Sequence, residues 1–345
     1  METAKSRFLG LDLIRLWMTF AVVCAHCFSA KVAYPDGVPW YFILVEAVGI
    51  AVPVFMTMSF FLSQRHFLDG EWRWLGRRML RLYLPFAFWS LVIFFLIRWL
   101  HLFNAPSWHT LGMHLIGGTA LRCHMQMWFM GTLCWMTPIA FLLFRGFKGR
   151  LPVKTLWALA AVSIVMQYTG FNKWLFGMIP DFGIRTPAGR FFEMVPYACV
   201  GLLVAAYKDV FAAFSVKRRA VIAAIAFALY VFLRNAQVFV KPPGFSYGGL
   251  ERICIAFAAL AFFYFLPLDR APRWLAAAVG RAAGCTMGVY MTHNLVCTML
   301  VRWVFPSLGV VTYSWSCAVL TFVVAWTGCF LISLIPCRFT RALVT

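Results

Sequence analysis

The chain has 345 residues, of which 63% are hydrophobic and 18% aromatic, and only 12% are charged. Soluble domains carry about 25% charged residues, so the composition excludes an ordinary soluble protein and indicates an all-α, polytopic integral membrane protein. The formal net charge of +20 reads as membrane topology and anionic-lipid contact rather than nucleic-acid binding, because Lys and Arg gather in alternate connections and no nucleic-acid motif accompanies them.

Hydropathy predicts about ten spans of bilayer-crossing character: Phe8–Phe28, Trp40–Ser63, Leu82–Leu102, Met125–Phe144, Leu156–Gly170, Phe191–Tyr207, Ala220–Leu233, Leu250–Leu266, Thr286–Val304 and Val310–Ile335. The basic excess puts both termini on the cytoplasmic side. No soluble domain, fixed-period repeat or low-complexity stretch interrupts them, so residues 1–345 read as one membrane domain.

The first span, FLGLDLIRLWMTFAVVCAHCF, keeps Asp12, Arg15 and His26. Ionisable groups are expensive in a membrane and mark functional sites. Arg15 and His26 are eleven positions apart, close to three helical turns, so they share a face at axial depths roughly 16 Å apart. The interior charges break the apolar run that a cleavable signal requires, so the span is expected to remain in place. Cys24 and Cys27 flank His26, but a four-ligand site needs a second ligand pair that the sequence does not place, and no metal is expected. The other cysteines at membrane depth read as small apolar packing residues.

Tyr34-Pro35-Asp36-Gly37 reads as an outer turn. The second span carries Glu46 and closes with Ser59-Phe60-Phe61-Leu62, delivering a basic connection that ends RWLGRRMLRLYLP. Arg77, Arg78 and Arg81 stand at helical spacing and can converge on one anion, which guanidinium binds in a bidentate fork. The alternative is that they are only positive-inside anchors. Pro85 is expected to fix the entry to the third span. An outer loop, His101 to Met125, holds His109, His114 and His124, and the segment after it contains Trp128. Another loop, Gly170 to Arg190, holds Asp181 and Arg185. Arg190 and Glu193 are one turn apart and expected to pair. Glu251 and Arg252 open the eighth span, the carboxylate being either half of an ion pair or a polar group facing an inner cavity. In GRAAGCTMGVYMTHNLV, Tyr290 and His293 share a helical face, and Gly284 and Gly288 are spaced for close helix packing.

Four of these features, in order along nearly the whole chain, resemble the acyltransferase 3 family of bacterial membrane proteins: LDLIR with the later His26, the RRMLRLYLP connection, the MWFM segment and TMGVYMTH. The resemblance aligns Arg15 and His26 with the family's Arg and His, Arg78 and Arg81 with its paired arginines, and Gly288, Tyr290 and His293 with its glycine-x-tyrosine-x-x-histidine signature. Members often have His directly before Leu-Trp-Phe. Here Met127 stands there and the nearest histidine is His124. Many members also carry an SGNH-hydrolase-type domain; the expectation here is the stand-alone branch, which includes O-acetyltransferases of enterobacterial common antigen and related surface polysaccharides.

The resemblance implies a bacterial inner-membrane O-acyltransferase. Its donor is cytoplasmic acetyl-CoA or another short acyl-CoA. Its acceptor is a hydroxyl of an extracytoplasmic glycan, reached directly or through a separate partner protein. Arg77, Arg78 and Arg81 would hold the donor phosphates, Arg15 would meet the donor deeper in, and Asp12 or Glu251 would orient Arg15. His26 would be general base in direct transfer or nucleophile in an acyl-histidine relay. Tyr290 and His293 would position groups or stabilise the oxyanion, and Trp128 is a further supporting candidate. The rival class is a transporter, in which Arg15, Glu46, Glu193, Glu251 and His293 line a path. The absence of paired broken spans and of an internal repeat speaks against it.

Overall fold

The computed structural model describes residues 9–27, 50–117, 121, 126–148, 153–171, 174, 175, 178, 185–237, 249–264, 271–309 and 314–344. Glu46, His124, Asp181 and the turn at Tyr34 lie outside them. Among the described residues the regular structure is entirely helical. The helices are α1 (Leu9–Cys27), α2 (Ala51–Asp69), α3 (Trp72–Trp99), α4 (Trp108–Gly117), α5 (Trp128–Gly146), α6 (Val153–Tyr168), α7 (Arg185–Ala206), α8 (Lys208–Ala213), α9 (Val216–Gln237), α10 (Leu250–Tyr264) and α11 (Arg273–Gly284). They continue with α12 (Thr286–Met299), which runs through a π-helical turn at Leu300–Val304 into α13 (Phe305–Leu308), then α14 (Trp315–Leu334) and α15 (Arg338–Val344). Gly309, with φ 61°, ends α13 in the left-handed conformation that glycine adopts without a Cβ clash.

Among the described residues four helices, α1, α3, α5 and α14, are long and apolar enough to cross a bilayer. α1 has 19 residues and runs about 28 Å at 1.5 Å per residue, close to a hydrocarbon core of about 30 Å. α3 has 28 residues and runs about 42 Å, longer than that core by two turns or more. The excess explains two differences from the sequence reading. The basic segment is not a loop before the third span but the opening turns of α3 itself, and Pro85 sits inside the helix rather than at its entry. Proline there cannot donate to the Arg81 carbonyl, so the helix loses one rung where the arginines give way to apolar residues. A third difference is α4, a ten-residue helix within the expected outer loop. Its Leu111, with Phe94 and Leu121, forms a small apolar cluster.

The chain packs as two compact units. One comprises Met1–Phe55, Lys208–Phe227 and Ile255–Thr345; the other comprises Met56–Tyr207 and Ala228–Cys254. In the first, α1 packs against α11, α12 and α14, while α15 covers α12 and α14. Gly288 permits this closure, because a Cβ there would stand 2.7 Å from Cys329 Sγ and 3.0 Å from the Val344 Cα. Gly284 has nothing among the described residues within 4 Å of its Cβ position, so of the two glycines it is Gly288 that shows the expected close packing. In the second unit α3 packs against α4 and α5, and α7 against α5 and α6. Gly201 on α7 faces the backbone of α2 so closely that a Cβ would collide with the Thr57 carbonyl oxygen.

These contacts predict opposite outcomes for one substitution at two helix positions. Gly201→Ala must push apart two backbones and should lower stability by about 1–3 kcal/mol, the usual cost of overpacking. Gly76→Ala on α3 meets nothing among the described residues within 4 Å and should leave stability unchanged or raise it by up to about 1 kcal/mol through helix propensity. Thermal unfolding of the detergent-purified variants checks both.

Candidate active site

α1 begins with a buried carboxylate. Asp12 is 4% exposed, and its Oδ1 accepts from Arg15 Nη1 at 3.4 Å. One turn of helix separates the two, the spacing at which opposite charges meet. Asp12 thus anchors a guanidinium whose side chain stays 38% exposed. Thr19 Oγ1 donates back to the Arg15 carbonyl at 2.7 Å, satisfying its hydroxyl inside the helix. Asp12, one of the two carboxylates expected to orient Arg15, is in contact with it. Glu251 is fully buried at the start of α10, where one carboxylate oxygen accepts the Gly249 N–H at 3.0 Å; a carboxylate in a helix's first turn also meets the favourable end of the helix dipole.

At the other end of α1 stands His26, its side chain exposed on one side. Its ring lies 5.2 Å, centroid to centroid, from that of His293 at an interplanar angle of 47°. Tyr290 completes the group, with its ring 6.1 Å from that of His293. His26, expected as the catalytic group, and Tyr290 and His293, expected only as supports, come from two segments far apart in sequence and meet at the α1–α12 contact.

The fully buried His293 has its Nδ1 3.0 Å from the Val289 carbonyl oxygen and 2.8 Å from the Tyr290 carbonyl oxygen. Carbonyl oxygens only accept, so Nδ1 carries the proton, and in the neutral imidazole Nε2 holds a lone pair. Nε2 is buried with no hydrogen-bond partner among the described residues. In this tautomer His293 can accept a proton or a hydrogen bond at Nε2 and has no proton left to offer a developing oxyanion. The geometry thus favours a basic use of His293 over an electrophilic one.

The arginines of α3 belong to the other unit. Arg78 is drawn partly inward, its Nη2 donating to Ser59 Oγ of α2 at 2.6 Å. Arg77 and Arg81 are exposed, and Arg77 Nε folds back to the Arg73 carbonyl at 3.3 Å. Arg78 is therefore the most anchored of the three, and Arg77 and Arg81 are exposed cations in the opening turns of a long helix. In the same unit Arg190 and Glu193 pair at 2.6 Å, as their spacing predicts, and the Arg190 guanidinium lies 5.0 Å over the Trp128 ring. Sequence reasoning found the ion pair but not its aromatic platform, which depends on α5 and α7 packing together. Nor did it find the buried hydroxyl-amide pair beside it, where Ser163 Oγ and Gln167 Nε2 both donate to the Phe192 carbonyl, at 2.5 and 3.0 Å.

A family model described as an acyltransferase domain matches residues 8–334. The chain belongs to the acyltransferase 3 family. No curated protein and no solved structure matches it. An acyltransferase needs a base or nucleophile near a held acyl donor. In this acyltransferase His26 has the exposure and the basic neighbour for such a task, whereas the histidine of α4 does not. His114 is fully buried, and its Nδ1 accepts the Leu121 N–H at 3.2 Å. Burial pushes its pKa down to about 3.

His114 therefore makes acid a structural stress. Between about pH 6.5, the unfolded value, and about 3, the folded value, the unfolded chain binds a proton that the folded chain refuses, so stability falls as pH falls through this window. Asn keeps an acceptor for the Leu121 N–H without titrating. His114→Asn should shrink the acid-induced fall in melting temperature while leaving the neutral-pH fold intact.

Proposed function

We propose that the protein is a bacterial inner-membrane O-acyltransferase, with about ten spans and both termini in the cytoplasm, that carries an acetyl group from acetyl-CoA to a hydroxyl of an extracytoplasmic glycan or its lipid-linked precursor. The family supplies the reaction class. The positive-inside bias supports the orientation, and the basic turns of α3 support a polyanionic donor. The observation that carries the reading is the contact of exposed His26 with buried His293, whose accepting nitrogen has no partner among the described residues.

In direct transfer, one nitrogen of His26 takes the hydroxyl proton as the acceptor oxygen attacks the thioester carbonyl. The carbonyl carbon then releases the CoA sulfur, which takes the proton back from the imidazolium. A rotation of the His26 ring lets its second nitrogen donate to His293 Nε2, fixing the tautomer of His26 as a carboxylate does in a hydrolase triad. In a relay, the same nitrogen attacks the thioester, the proton on the other ring nitrogen passes to the leaving sulfur so that CoA departs as a thiol, and the acyl-imidazole gives its acyl group to the hydroxyl, whose proton returns to the ring. Arg15, held by Asp12, binds an anionic part of the donor, and Arg77, Arg78 and Arg81 bind phosphate oxygens through charge-assisted bonds. Glu251, Trp128 and Tyr290 act as supports.

Inverted vesicles supplied with radiolabelled acetyl-CoA test the reading. Wild type should move label into glycan. His26→Ala should lose about 10²- to 10⁴-fold in transfer, the range of a general base, with donor binding retained. His293→Phe should lower kcat while leaving the KM for donor unchanged. The double variant Arg78→Ala/Arg81→Ala should raise that KM by at least about tenfold, since a charged hydrogen bond is worth about 1.5–3 kcal/mol. Wild type that neither binds nor consumes acetyl-CoA or succinyl-CoA overturns the proposal.

A further inference from the structure

The first unit holds a second cluster that the acyl-transfer reading does not use. Cys27 closes α1, Cys297 lies one turn beyond His293 on α12, and Cys317 is in the first turn of α14, where its N–H donates to the capping Ser314 Oγ at 3.2 Å. The three sulfurs all lie within 4.8 Å of one another, with Cys27 and Cys297 3.6 Å apart. All three side chains are buried. Cys24, the partner that the sequence around His26 suggests, does not join them.

Two sulfurs bound to one ion at about 2.3 Å each stand roughly 3.8–4.0 Å apart, for angles between tetrahedral and trigonal. The trio has that spacing to within a small adjustment of side chains. Three helices remote in sequence each contribute one sulfur, so an ion among them would hold α1, α12 and α14 together. The donor set also selects the ion. Structural zinc sites use four ligands, whereas among the described residues this cluster offers three soft sulfurs and no nitrogen or carboxylate, a set that suits a soft d10 cation such as Cu(I).

We propose that Cys27, Cys297 and Cys317 form a buried three-sulfur site for a soft monovalent metal ion of the Cu(I) class. The ion enters and stays in one oxidation state. Each thiol that coordinates as thiolate releases its proton to solvent, and the monovalent cation neutralises one such thiolate, whose charge alone is costly in an apolar interior. Because Cys27 adjoins His26 and Cys297 follows His293 by one turn, the ion also fixes the spacing of the two histidines. That last consequence rests on the proposed acyl-transfer role of the histidines; the metal site does not.

Full-length protein, purified in detergent under reducing anaerobic conditions, is titrated with Cu(I) against a chromophoric Cu(I) chelator, and separately with Cd(II) to read thiolate-to-metal charge-transfer absorption. Wild type and Cys24→Ser should each take one Cu(I) per chain and rise in melting temperature on binding. Cys297→Ser and Cys317→Ser should each weaken binding by more than the roughly 10- to 100-fold that loss of an outer-shell partner costs a metal site, and their melting temperatures should no longer respond. Melting of each variant before metal addition shows whether it is folded. Should a variant not fold, the Cd(II) absorption of wild type decides alone, since three thiolates on one ion give it and isolated buried thiols do not. The proposal is overturned if wild type fails to compete with the chelator and shows no charge-transfer band, or if folded Cys297→Ser and Cys317→Ser bind like wild type. Binding is read without acyl transfer, so its failure leaves the proposed enzyme activity untouched, and loss of transfer in His26→Ala leaves the metal site untouched.

Discussion

A polar group placed among hydrocarbon chains has no water to turn to, so its partner must come from the protein. α1 meets this constraint at both ends by different means. Near its start a carboxylate and a guanidinium one turn apart neutralise each other, with the carboxylate buried and the cation half-exposed. Near its end an imidazole faces another helix, and that helix satisfies its own histidine through two backbone carbonyls. The second solution is incomplete by design of the imidazole ring. A histidine that donates from one nitrogen must present a lone pair at the other, and here that lone pair is sealed inside the protein beside His26.

The residues of this arrangement were legible in the sequence to the extent that charge is conspicuous against an apolar background. Asp12, Arg15, His26, His293 and the Arg190–Glu193 pair all announce themselves by being expensive where they stand. The extent of α3 was not legible from hydropathy, because hydropathy marks where side chains leave water, while the backbone helix continues through the headgroup region where arginines are comfortable. The same reason hid α4, whose ten residues are too few to cross a membrane but enough to bury Leu111 and His114. Contacts that need three helices at once were hidden altogether. Nothing in the spacing of Cys27, Cys297 and Cys317 ties them together, and cysteine's usual role as a small apolar residue supplies no contrast against its surroundings. Ser59 was equally silent as a partner of Arg78, since a serine within an apolar helix is ordinary.

The glycine, tyrosine and histidine of α12 act at different levels. Gly288 works through what it lacks: without a side chain it lets Cys329 and Val344 approach to distances that no Cβ tolerates. Thr292 satisfies its own hydroxyl by donating from Oγ1 to the Gly288 carbonyl, one turn back, at 2.9 Å. One turn on, His293 takes the carbonyls of Val289 and Tyr290 in the same way. Side-chain donors thus return to the helix's own backbone twice in succession, so no proton from Thr292 or His293 Nδ1 is offered across to α1. What α12 offers α1 at this level is an acceptor, and a helix end carrying a histidine is the kind of partner that can use one. The pairing of a glycine-tightened helix with a titratable one therefore follows from hydrogen-bond accounting in an apolar setting, in which a basic nitrogen can be kept in reserve only if its ring is held by the other.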